Sequence, residues 1–151
     1  MINGFAHLFV QTKENIAKTR GVQTNGLVNG TEVACVNNRA AQICALDLLL
    51  AEHRKKYGTR FNGLNGKQAL HHKLLMKYKW PLSLIRELKL EDVLLALHDE
   101  LAFESFDEAA SKYLKQVTLS EYPVNFPDYL ETEWDPLLSQ KLLFDSEDQP
   151  Y

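Results

Sequence analysis

From Asn3 to Lys18 the apolar residues Phe5, Leu8, Phe9 and Ile16, with Thr12 on the same stripe, recur at intervals of three and four. That spacing predicts an amphipathic helix ended before Gly21. Gly21 to Gly30 has no period and reads as a loop with a tight Asn25-Gly26 turn. Thr31 then caps a long helix running to about Tyr57, with Gly58 as its left-handed stop and Arg54, Lys55 and Lys56 set against the negative end of its dipole. Its middle is apolar on nearly every side (Ala40, Ile43, Cys44, Leu46, Leu49, Leu50), which marks the central helix of a bundle. Asp47 interrupts that run. A carboxylate there needs a partner or a route to water, and an arginine such as Arg20, Arg39 or Arg54 is the favoured partner.

After turn signals between Phe61 and Gly66, Lys67 to Tyr78 reads as a third helix with Leu70, Leu74, Leu75 and Tyr78 inward, broken by Pro81. Leu82, Leu84, Ile85 and Leu88 make a short fourth helix, directed inward. Leu90, Val93, Leu94, Leu97 and Leu101 make a fifth, with Glu91 and Asp92 suited to its start. Ser105 and Glu108 have the spacing of a capping box, opening a sixth helix with Phe106, Ala109, Ala110, Tyr113, Leu114 and Val117 inward. From Tyr122 onward Pro123, Pro127 and Pro136 alternate with Phe126, Tyr129, Leu130 and Trp134, a composition that wraps over a surface. Asp135-Pro136 caps a last short helix to Leu143. No alternating stretch predicts a sheet.

The expected architecture is therefore all-α. A single domain over 1–144 holds five to seven helices around one long central helix, with an irregular aromatic-rich arm at 121–144 and a flexible acidic tail at 145–151. With 151 residues, 45% hydrophobic and 25% charged, the chain is long enough to bury a core of its own. It lacks an uninterrupted apolar run of membrane-spanning length and a secretory leader, so the expectation is a cytoplasmic protein without a membrane partner. Cys35 and Cys44, nine apart on one helix, would sit about 13 Å from each other, too far for a disulfide, and read as small core residues.

Charge changes the picture more than composition does. Ten basic residues lie between Arg54 and Lys89 against one acid, Glu87, whereas eight acids follow from Glu121 against Lys141. Three readings are open. The charges are the ordinary wet faces of helices; or the acidic arm lies on the basic belt of its own chain or of a sister subunit; or the belt meets an acidic outside partner, nucleic acid or protein. The candidate partner-binding residues are Arg54, Lys55, Arg60, Lys73, Lys77, Lys79 and Arg86 in the belt, and Phe126, Tyr129, Glu131, Trp134 and Asp135 in the arm. The three consecutive helices between Lys67 and Leu101 are a poor helix-turn-helix, since the middle one offers only Arg86 and Lys89 as readers.

Familiar catalytic patterns are missing. Gly66-Lys67 is followed by Gln, so no phosphate loop forms. His71 and His72 point about 100° apart on a helix and cannot share one tetrahedral metal, although either could join His53 or Cys44 from another helix; surface histidines beside Lys73 are the plainer account, and no metal site is assigned. No serine or cysteine stands in a nucleophile motif, and Asp99 and Glu100 read as a solvated face. No catalytic residue, metal or cofactor is expected. The stretches RAAQICALDLLLAEHRKKY (Arg39 to Tyr57), ALHHKLLMKYKWPLSLIRELKLEDVLLALHDEL (Ala69 to Leu101) and FPDYLETEWDP (Phe126 to Pro136) resemble a family of short proteins carried in prophages of enteric bacteria. The resemblance implies a bacterial cytosolic setting and a phage-linked accessory role; it carries no activity or functional residue. The expected function is a non-enzymatic, self-associating protein that binds and modulates a host protein or regulatory complex. The alternative is a nucleic-acid-binding regulator using Arg54 to Lys89.

Overall fold

The computed structural model describes residues 2–118 and 122–143. Its helices are α1 (Ile2–Arg20), α2 (Gly30–Tyr57), α3 (Gln68–Tyr78), α4 (Leu82–Glu87), α5 (Leu90–Ala96), α6 (Glu108–Val117) and α7 (Pro136–Leu143), with short 3-10 turns at His98–Glu100, Phe103–Ser105 and Glu131–Glu133. Among the described residues there is no strand, so the fold is all-α. The expected tail at 145–151 lies outside the described residues, as do Glu121 and Phe144.

α2 is the axis of the molecule, about 42 Å long at 1.5 Å per residue. α1, α3, α6 and α7 all pack on it, which is why Val36, Ala40, Ile43, Leu46 and Leu50 are buried although they point in different directions. By length and composition α2 could cross a membrane, but 72% of its most apolar window is covered by the protein's other elements. Cys35 and Cys44 are buried free thiols. α1 contributes the buried stripe Phe5, Leu8, Phe9, Thr12 and Ile16, and ends at Gly21, whose φ of +67° lets Val22 N–H reach back to the Ala17 carbonyl at 2.8 Å.

Several local details differ from the sequence reading. The cap of α2 is Asn29, whose Oδ1 accepts from Thr31 N (2.9 Å) and Glu32 N (3.1 Å); the Thr31 hydroxyl pairs with Tyr122 OH instead. Gly58 is extended (φ −62°, ψ 143°), so its role as a left-handed stop is corrected. α5 stops at Ala96, because a tighter turn follows at His98–Glu100. α6 is capped by Asp107, which accepts from Ala110 N at 2.8 Å, while the Ser105 hydroxyl donates to the Ala102 carbonyl inside its own 3-10 turn. Ala109 is exposed. On α4 only Ile85 is buried; Leu82 and Leu84 face outward.

Two glycines mark close backbone approaches. A Cβ on Gly4 would stand 2.5 Å from the Leu142 carbonyl oxygen of α7, and one on Gly58 would stand 2.6 Å from that of Arg54. Helix propensity favours alanine over glycine at a position such as 4 by about 1 kcal/mol. Here the main chain of α7 is in the way, so Gly4→Ala should destabilise the protein, by about 1–3 kcal/mol in urea denaturation. An unchanged or raised midpoint would mean that α1 and α7 can separate at no cost.

Candidate interaction surface

The arm is organised by two arginines. Arg20 closes α1 and Arg39 lies on α2, and both reach Glu133 in the turn at Glu131–Glu133. Arg20 Nε donates to Glu133 Oε2 at 2.8 Å and Arg39 Nη1 to Glu133 Oε1 at 2.7 Å; the Arg39 and Glu133 side chains have no solvent exposure. Both guanidinium groups also donate to arm carbonyls, Arg20 to Asp128 (2.7 Å) and Arg39 to Phe126 (2.8 Å). Their planes cover aromatic faces, Arg20 over Phe126 at 4.0 Å and Arg39 over Tyr129 at 3.7 Å. The hydrogen bond that Arg20 donates to Glu133, with the one it donates to Asp128, holds its pKa above the ordinary value against the effect of burial.

Asp47 finds none of its candidate arginines as a hydrogen-bonding partner. Trp134 Nε1–H donates to its Oδ1 at 2.7 Å, and Arg54 acts only through its charge. Burial nevertheless dominates and pushes the carboxyl up to about 7. Arg54 itself turns inward, donating from Nε to the Leu64 carbonyl at 2.9 Å, and burial lowers its pKa against the pull of Asp47.

The belt does not act as one surface. Lys73 Nζ donates to Glu100 Oε1 at 2.9 Å, and Lys77 Nζ to Asp99 Oδ1 at 2.7 Å and to Glu100 Oε2 at 2.9 Å. Burial opposes the Lys77 charge, but those carboxylates outweigh it and leave the lysine raised. Asp99 and Glu100 are thus ion-pair partners rather than a plain wet face. His72 is no plain surface histidine either: its Nδ1 lies 2.8 Å from Nε2 of the buried His53, which burial and then Lys73 lower to about 4. Lys55, Arg60, Lys79 and Arg86 are exposed. No carboxylate among the described residues pairs with Arg60, Lys79, Arg86 or Lys89.

In the arm, Phe126 and Tyr129 are half-buried under the arginines and Trp134 is buried on Asp47. Glu131 accepts from Leu90 N at 2.8 Å, and Asp135 caps α7 by accepting from Leu137 N at 3.1 Å. The arm therefore does lie on cations of its own chain: its Glu133 meets Arg20 and Arg39, upstream of the belt, and of the belt itself Lys67 reaches it, with Nζ 6.0 Å from the Trp134 ring centroid. The periodicity carried no signal for this, because Glu133 sits in a run, ETEWDP, that reads as solvated throughout.

An open cleft of about 330 Å³ lies between α2, α5 and the arm, lined by Asn38, Gln42, Ala45, Leu94, His98, Leu101, Ala102, Phe103 and Asn125. Its amides are occupied with one another and the arm: Asn38 Nδ2 donates to the Val124 carbonyl at 2.7 Å and Asn125 Nδ2 to Gln42 Oε1 at 3.1 Å. Among the described residues no group of three or more His, Cys, Asp or Glu is placed to hold a metal ion. No protein-family model, curated protein or solved structure matches the chain.

Proposed function

We propose that this chain is a non-enzymatic, phage-associated accessory protein that binds and modulates a host protein or regulatory complex in the bacterial cytoplasm. The observation that supports it best is the α3–α4 corner. Met76, Leu82 and Leu84 are exposed there, beside the exposed cations Lys79 and Arg86 and ahead of Lys89. Leu82 and Leu84 keep 37% and 47% of their surface in solvent on a helix whose buried residue is Ile85, and apolar contacts rimmed by cations suit an acidic protein surface.

The triple variant Leu82→Ser, Leu84→Ser, Arg86→Glu should still fold, at a cost of about 1–3 kcal/mol from the covered parts of the two leucines. It should also lose whatever protein the parent captures from a bacterial extract. Identical capture by both would remove the corner from the proposal. Self-association belongs to the same proposal. Since Asp128 and Glu133 are engaged by Arg20 and Arg39, it would run through the apolar corner. Salt would then strengthen it by screening repulsion between facing cations. Gel filtration at low and high salt reads this directly, and a monomer at micromolar concentration in both would end the dimer.

A further inference from the structure

A second feature stands apart from the α3–α4 corner. Phe61 is 95% exposed at the tip of the loop between α2 and α3, where its ring stabilises nothing in the fold. The loop is nonetheless well tied. Thr59 N donates to the Asn62 carbonyl at 2.7 Å, Asn62 N to Thr59 Oγ1 at 3.1 Å and Leu64 N to Asn62 Oδ1 at 2.8 Å, while Gly58 N closes onto the Arg54 carbonyl at 2.8 Å. Phe61 is thus held out by a formed turn, and the cost of ordering it is met before any ligand arrives.

The stretch of sequence that carries it is one-signed. The chain has no acid from His53 to Arg86. Lys56, Arg60 and Lys67 are exposed, none pairs with a carboxylate among the described residues, and the Arg60 guanidinium lies 5.8 Å from the Phe61 ring centroid. One isolated ring among lysines, asparagine and glycine is too little apolar area to seat a protein partner or to hold a membrane. A single ring face is enough for a nucleobase, and its phosphates require cations that no carboxylate holds; Lys56 and Lys67 lie near rings instead, with Nζ 5.3 Å from the Tyr57 ring centroid and 6.0 Å from that of Trp134.

We infer that the loop carrying Arg60 and Phe61, with Lys56 and Lys67, is a binding site for single-stranded nucleic acid: one base stacks on Phe61, and the three cations take neighbouring phosphates. No base-edge readout is built into it, so the site is tolerant of sequence. This goes beyond the protein-partner reading and does not depend on it.

Fluorescence anisotropy with end-labelled dT15 and rU15, and with a 15-base-pair duplex, tests it on the full chain. Single strands should bind more tightly than the duplex. Affinity should fall roughly 10- to 20-fold between 50 and 200 mM salt, as expected when about three cations displace counterions at ~0.7 per contact. Phe61→Ala should weaken binding about 5- to 10-fold with the salt slope unchanged, and Phe61→Trp should restore it. Lys56→Ala with Arg60→Ala should flatten the slope. All four positions are exposed, so folding is not at stake. Absent binding at 50 mM salt, a preference for the duplex, or indifference to Phe61→Ala would overturn the inference. So would retention of the protein by vesicles of 30% anionic lipid, or by a polyglutamate probe, more tightly than by dT15.

Discussion

Glu133→Ala is expected to lower the unfolding free energy by about 3–5 kcal/mol, because it leaves Arg39 charged, without solvent, and deprived of its only carboxylate among the described residues. A domain of this size has on the order of 5–15 kcal/mol to lose, so the variant would sit near the edge of folding. Loss of the arm should come first. Residues 122–143 are held by carbonyls that accept from the same two guanidinium groups, and limited proteolysis should cut there before elsewhere. A second variant separates charge from packing. Arg39→Met with Glu133→Leu removes that buried pair and leaves Arg20 with Asp128. It also takes the Arg39 donors from the Phe126 and Asp128 carbonyls, so it should recover only the share of the loss that comes from the stranded charge. A drop below about 1 kcal/mol for Glu133→Ala would mean that the arm is held by its aromatic contacts alone.

Asp47→Asn should leave stability unchanged near pH 4 and raise it by about 1–3 kcal/mol at pH 8. The sign follows from the direction of the shift. Burial moves the carboxyl from 3.8 to about 7, so between those values the folded state binds the proton that the unfolded state has released, and stability falls as pH rises. Asparagine still offers an oxygen to Trp134 Nε1–H without the ionised form. His53 acts in the opposite sense over nearly the same window. Its pKa is lowered from 6.5 to about 4, so the unfolded state takes up a proton first and stability rises with pH through that range. In the parent the two slopes offset one another. Asp47→Asn removes one of them, and urea denaturation at pH 4.5, 6 and 8 should show stability climbing with pH. A variant less stable than the parent at pH 8 would show that Arg54 holds the ionised carboxylate after all.

Helix identity was legible from spacing because burial imposes a period on apolar residues. The stripes of α1 and α3 and the all-round apolar middle of α2 each announce their neighbours, and Asp47 was conspicuous because it breaks such a run. Ends were less legible. Asn29 rather than Thr31, and Asp107 rather than Ser105, supply the caps, since several adjacent residues can make the same short hydrogen bond and only the backbone path selects one. Leu82 and Leu84 face outward against the expectation for a related reason: on a helix of about one and a half turns, apolar residues at i, i+2 and i+3 do not say which of them meets the core.

The chain's own order of residues determined that the protein is all-α, that a long greasy helix is its axis, that an aromatic arm follows, and that positive and negative charge are kept in different thirds. Folding alone decided who meets whom. Arg20, Arg39 and Glu133 are separated by 113 and 94 positions and come together only because α1, α2 and the arm converge, while Lys73 and Lys77 are neutralised by Asp99 and Glu100 across a corner. Periodicity reports how much apolar surface an element must hide. Ion pairs between elements depend on where the tips of long side chains arrive, and no local pattern carries that distance.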